Sequence, residues 1–172
     1  MTKSELKQLR DFIVRARLNT WATGKGKTRA CLPGTEQHEY REGDLLYCDV
    51  FSGSNQFAGI EMVYDKGVPV WSMVYHGGMQ PKYNEYAEQT FGYLKRILCT
   101  RAKRARLADL SLRSGEVASI HASRKDLHYT SETWGNFSNF GGWENIRLDQ
   151  VSFVDEVYVL EFSGGLIDAK AG

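Results

Sequence analysis

Cysteine, net charge and long apolar runs are all scarce in this sequence, and each shortage removes a class of protein. Cys31, Cys48 and Cys99 are odd in number and far apart, with no Cys-x-x-Cys and no His-x-x-x-His. That argues against a disulfide framework, leaves a structural zinc site without support, and points to reduced thiols in a cytoplasm. Lysine and arginine number 22 and aspartate and glutamate 21, a net charge of +1, so the whole molecule has no field that names a partner. No run of about 18 apolar residues exists to span a membrane. The opening MTKSELKQLRDF lacks the apolar stretch of a secretory signal.

The remaining composition is that of an ordinary folded protein. Hydrophobic residues make up 42% and charged residues 25% of 172 positions, which suits a single domain over 1–172 with one core. Leu6, Leu9, Phe12, Ile13 and Ala16 recur at helical spacing, so residues 4–19 are predicted as a helix with Ser4 as N-cap. Residues 22–37, rich in glycine and without a period, read as a loop. Its GKGKT fails as a phosphate-binding loop, because the required glycine position holds Trp21.

From residue 44 the period changes to two. Strands are expected at 44–51, 57–64 and 68–76, with turns at Gly53-Ser54-Asn55 and Asp65-Lys66-Gly67, and Gly77-Gly78 as the stop. A second helix is expected over 82–106, with a break allowed at Gly92. Residues 107–125 are ambiguous, with a short strand near 117–121. Three further strands follow at 127–134, 137–148 and 151–162.

The two halves match, over roughly 4–79 and 82–167. Asp-Leu-x-Tyr at 44 and 126, Phe-x-Gly-x-Glu at 57 and 140, and Gly-Gly at 77 and 164 recur in one order, each set preceded by a helix. The predicted fold class is therefore α+β: a duplicated αβββ unit with antiparallel sheets, two main helices packed on them, and a pseudo-two-fold relation. Shared turn chemistry in two hairpins is the plainer alternative.

The segments LKQLRDFIVRARLNTWA, EGDLLYCDVFSG, FAGIEMVYDKGVPVWSMVYHGG and FSGGLI resemble an uncharacterised prokaryotic family known only as a domain of unknown function. The resemblance covers roughly residues 6–167. Members of that family sometimes follow a helix-turn-helix domain, which implies a sensor or partner-binding module. The family implies no catalytic residues.

Glu61 and Glu144 are the leading site candidates. Each shares a strand face with a phenylalanine and a glycine, a setting that suits a pocket for a cationic or hydrogen-bonding ligand. The structural alternative is a carboxylate paired with an arginine. Trp71, Tyr75, Trp134 and Trp143 are candidate walls, or simply core and strand aromatics. His76 at a strand end is a candidate base or a plain surface histidine. The run Lys95, Arg96, Arg101, Lys103, Arg104 and Arg106 carries no acid and is a candidate phosphate contact, or a solvated helix end suited to the helix dipole.

The expected function is a non-enzymatic ligand- or partner-binding domain. Its cleft would lie between the two halves and hold an unidentified small molecule or protein, with no metal, no cofactor and no membrane. A nucleic-acid-associated protein using residues 95–106 is the alternative. An enzyme with a carboxylate–histidine site ranks third, for want of a nucleophile.

Overall fold

The first helix starts one turn earlier than its apolar stripe requires, because a capping box fixes its end. The Thr2 hydroxyl accepts from the Glu5 amide, and the Glu5 carboxylate accepts from the Thr2 amide. In this computed structural model residues 1–102, 105–108, 110, 116–150 and 155–168 are described. Helix α1 spans Lys3–Leu18 and buries Leu9, Phe12, Ile13, Val14 and Ala16. Helix α2 spans Ala87–Thr100, follows a 3-10 turn at Pro81–Tyr86, and buries Thr90, Tyr93, Leu94 and Ile97. It runs unbroken through the exposed Gly92 and stops at Thr100, short of the expected 106.

The strands are β1 (Lys27–Thr28), β2 (Glu36–Glu42), β3 (Leu45–Gly53), β4 (Gln56–Asp65), β5 (Val68–Met79), β6 (Val117–Arg124), β7 (Leu127–Asn136), β8 (Asn139–Leu148) and β9 (Glu156–Leu166). They form one antiparallel sheet in the order β1-β2-β3-β4-β5-β9-β8-β7-β6. Read inward from either side, each half is a helix and a meander, β2-β3-β4-β5 or β6-β7-β8-β9. Both meanders thus have one strand more than the three-stranded unit expected from the sequence. Residues 151–154, the start of the last expected strand, lie outside the described residues.

The halves meet edge to edge. Central strands β5 and β9 pair from Trp71↔Leu166 to Met79↔Tyr158, with Tyr75 opposite Phe162. Both glycine pairs lie inside these strands and do not end them. Gly77 has φ +154°, and a Cβ there would collide with the Val159 carbonyl and the Leu160 backbone; a Cβ on Gly164 would collide with the Ser72 carbonyl. Glycine is required where the central strands approach this closely. The register shifts also correspond, between Val63 and Tyr64 in one half and between Ile146 and Arg147 in the other.

Helix-facing positions on the strands supply the core: Tyr47, Val63, Trp71, Met73, Tyr129, Phe140, Ile146, Tyr158 and Leu160 are all buried. Phe-x-Gly-x-Glu now has a physical reason. A Cβ on Gly59 would strike the Tyr75 ring, and one on Gly142 would strike the Phe162 ring. Each glycine lets an aromatic ring from the neighbouring strand lie across its own strand.

Candidate functional site

Strand periodicity puts Tyr47, Asp49 and Phe51 of β3 on the helix-facing side, with Phe57 and Glu61 of β4 and Tyr75 of β5. Residues after α1 (Thr20, Trp21) and along α2 (Phe91, Lys95, Leu98) stand over them, and together they enclose a cavity of about 220 Å³. Exposed Gly53, Ser54 and Lys95 form the rim, and buried Tyr47, Asp49, Glu61 and Arg106 form the inner end. The Lys95 ammonium lies 5.2 Å from the centre of the Trp21 ring.

Each half buries one glutamate against one arginine. Arg17 Nε donates to Glu61 Oε2 at 2.8 Å, and Arg17 also donates to the main-chain carbonyls of Ala105 and Arg106 at 3.2 Å. Arg106 Nε donates to Glu144 Oε1 at 2.9 Å, and its Nη2 contacts the same carboxylate. The Tyr129 and Tyr158 hydroxyls each donate to Glu144 at 2.8 Å. Burial works against the Arg106 charge, but Glu144 outweighs it and holds the guanidinium well above its ordinary value. Both glutamates are thus held in ion pairs that tie helix-side segments to the sheet.

Asp49 differs from both. It is 4% exposed, directly across from Glu61, and accepts from the Tyr75 hydroxyl at 2.7 Å. Among the described residues no arginine or lysine forms an ion pair with it. Burial first, and then the negative charge of Glu61, push its carboxyl up to about 7; the Tyr75 hydrogen bond, Arg17 and Arg106 pull the other way. Asp49 also raises the Tyr75 phenol, after burial. The Tyr47 hydroxyl likewise has no hydrogen-bond partner among the described residues, although its counterpart Tyr129 is bonded to Glu144.

The matched half has neither feature. Ser131 stands opposite Glu144 where Asp49 stands opposite Glu61, and Phe162 lies over Gly142 where Tyr75 lies over Gly59. The carboxyl and the hydroxyl that bonds it are therefore both particular to the cavity side.

Residues 49–167 match a family described as a domain of unknown function (DUF5680). The chain belongs to that family. No curated protein and no solved structure matches it. The span matched by DUF5680 begins at Asp49, so the cavity adds Arg17, Thr20, Trp21 and Tyr47 from outside it.

The sheet divides the residues singled out from the sequence. Glu61 and Tyr75 line the cavity. Glu144 and Trp71 are fully enclosed and do not line it: Glu144 by its arginine and tyrosines, Trp71 by Phe137 and Phe140, with ring centres at 6.2 and 6.1 Å. His76, Trp134 and Trp143 lie on the opposite face, around a shallow groove that Val74 and Glu161 also line. Adjacent residues on a strand point to opposite faces, so Tyr75 and His76 cannot serve one cleft. Trp134 is 46% exposed there, its indole lying close over Gly141.

The described members of the basic run do not all lie at the surface. Arg106 is buried in the Glu144 pair, with the chain turned inward at its φ of +52°. Lys95 belongs to the cavity rim, Arg96 and Arg101 are exposed, and Lys103 and Arg104 lie outside the described residues. Cys48 is on the face away from the cavity, and burial pushes its thiol up to about 11. Among the described residues no group of three or more metal-binding side chains comes together, and no helix is long and apolar enough to cross a membrane.

Proposed function

We propose that this DUF5680 domain is a non-enzymatic binding module of sensor type, which holds a small molecule between the first meander and the helix of the second half. The observation that carries this reading is the contrast between the Asp49–Tyr75 pair and its counterpart, Ser131 and Phe162. The same scaffold folds at matched positions without a buried carboxylate. Asp49 is therefore particular to one half, placed in a cavity with aromatic and apolar walls and polar groups gathered at its inner end, a make-up that suits a ligand site. A volume of about 220 Å³ limits the ligand to roughly the size of one substituted ring. Among the described residues, neither the Thr20 nor the Ser54 hydroxyl that lines this space is hydrogen-bonded to a histidine or carboxylate base, which favours binding over catalysis. The matched motifs of the two halves are read as one unit used twice, with the ligand site kept on one side only.

A thermal-shift screen of small metabolites tests the reading, since a ligand that binds only the folded state raises its apparent stability. Hits should bind the unmodified protein and lose their effect in Leu98→Trp, which fills the cavity from α2. Hits that stabilise that variant equally would place binding elsewhere and end the proposal.

A further inference from the structure

Resting on that reading of the cavity, we infer that its ligand is a small organic cation, a protonated amine or amidine on an apolar ring-sized body, whose N–H donates to the Asp49 carboxylate. The pairing of charges around the inner end decides the sign. Asp49 and Glu61 are buried carboxylates that line the cavity, Glu144 is buried behind it, and Arg17 and Arg106 are paired with Glu61 and Glu144. Each arginine is committed to a glutamate, and Arg17 spends further donors on the carbonyls of Ala105 and Arg106. Asp49 is the carboxylate left over. One oxygen accepts from Tyr75, and its second has no donor among the described residues.

The other groups facing Asp49 do not fill that place. His38 stands directly opposite on β2, but its Nδ1 is bonded to the Lys25 carbonyl at 2.8 Å and its ring stacks on Phe51 at 5.8 Å. Tyr47 presents a hydroxyl to the same space. Lys95 is exposed at the rim, beside Trp21, where an ammonium keeps its hydration. A cationic head entering the cavity would meet the desolvated Asp49 carboxyl at the inner end and favour its ionised form. Phe51, Phe57 and Tyr75 would flank it with aromatic faces that also favour a cation. A neutral body fits the remaining walls, Phe91 and Leu98.

The test compares three probes of one shape on the full chain by calorimetric titration: 2-phenylethylamine, 2-phenylethanol and phenylacetate. The amine should bind about ten- to a hundredfold more tightly than the alcohol, the ratio for a charge-assisted bond, and phenylacetate should bind most weakly. Asp49→Asn keeps an acceptor for Tyr75 and should erase the preference for the amine over the alcohol. Circular dichroism of the same sample confirms that the variant is folded. Equal binding of amine and alcohol, both lost in Leu98→Trp, would overturn the cation and leave the cavity as a neutral site. No binding by any probe, or binding indifferent to Leu98→Trp, would overturn both readings.

Discussion

Replacing Asp49 by asparagine removes a buried charge and keeps the acceptor that Tyr75 uses. In the fold the carboxyl is pushed from 3.8 up to about 7. Between those values the native state binds a proton that the unfolded chain has released. Stability contributed by this group is therefore present at low pH and is lost as pH rises toward 7. The shift of about 3 pKa units corresponds to a cost of roughly 4 kcal/mol once the group is ionised in both states, at about pH 8. At about pH 5 native Asp49 is still mostly protonated, and the cost is roughly 1–2 kcal/mol. Asp49→Asn escapes both costs. Its advantage over the unmodified protein should grow by roughly 2–3 kcal/mol between about pH 5 and about pH 8. In a chain of this length that is a relative gain in melting temperature of about 5–10 °C. Urea unfolding of both proteins at the two pH values is the assay. The groups that face the same space, Arg17, Arg106, Glu61 and His38, are common to both proteins, so the comparison isolates Asp49. A variant less stable at the higher pH, or a difference independent of pH, would refute the assignment of Asp49 as a strained buried carboxylate.

Other substitutions probe the frame around it. Glu144→Gln leaves Arg106 buried beside a neutral group and should cost about 3–5 kcal/mol in denaturant unfolding. Gly59→Ala drives a methyl group into the Tyr75 ring; it should destabilise the protein by about 1–3 kcal/mol and weaken probe binding, because the ring can no longer hold Asp49 in place. Gly92→Ala adds a methyl group on the exposed side of α2, with nothing within 4 Å, and should raise stability by about 0.5–1 kcal/mol in the same unfolding assay.

Periodicity in the sequence sufficed for α1, for most of α2 and for β3, β4, β5, β7 and β8, because each buries one face. It failed at β2, where EQHEYRE is mostly polar and its buried residues, Gln37 and His38, are not hydrophobic. It failed again at Gly77-Gly78, since two glycines ordinarily end a strand and here serve the close approach of β5 to β9. The partners of Glu61 and Glu144 were beyond local reading. Arg17 lies 44 residues from Glu61 and Arg106 lies 38 from Glu144, and nothing local marks either arginine as bound inward. Asp49 was missed although a signal existed. Laying DLLYCDVF over DLHYTSET sets Asp49 against Ser131, and the strand partners set Tyr75 against Phe162. Attention to the identities of the repeat led to the glutamates, which brace the scaffold. The differences between the halves lead to the cavity.

That distinction can be argued from energy alone. An ion pair such as Arg106–Glu144, with two tyrosine hydroxyls closing the remaining acceptor sites, offsets its own desolvation and anchors a chain segment that would otherwise be loosely held. Its occurrence in both halves is what a structural brace requires. Asp49 is less well compensated: it has the Tyr75 hydrogen bond but sits beside a second carboxylate, has no ion-pair partner among the described residues, and its cost of roughly 4 kcal/mol is a large fraction of the 5–15 kcal/mol that typically holds a domain together. The second half shows the cheaper solution in the same fold, a serine and a phenylalanine at the corresponding stations. A strained polar group that the scaffold does not need, facing an open cavity, has its natural explanation in what enters that cavity. Under the proposed reading the entering group relieves that cost, and for a carboxylate with no ion-pair partner among the described residues such a group carries a positive charge.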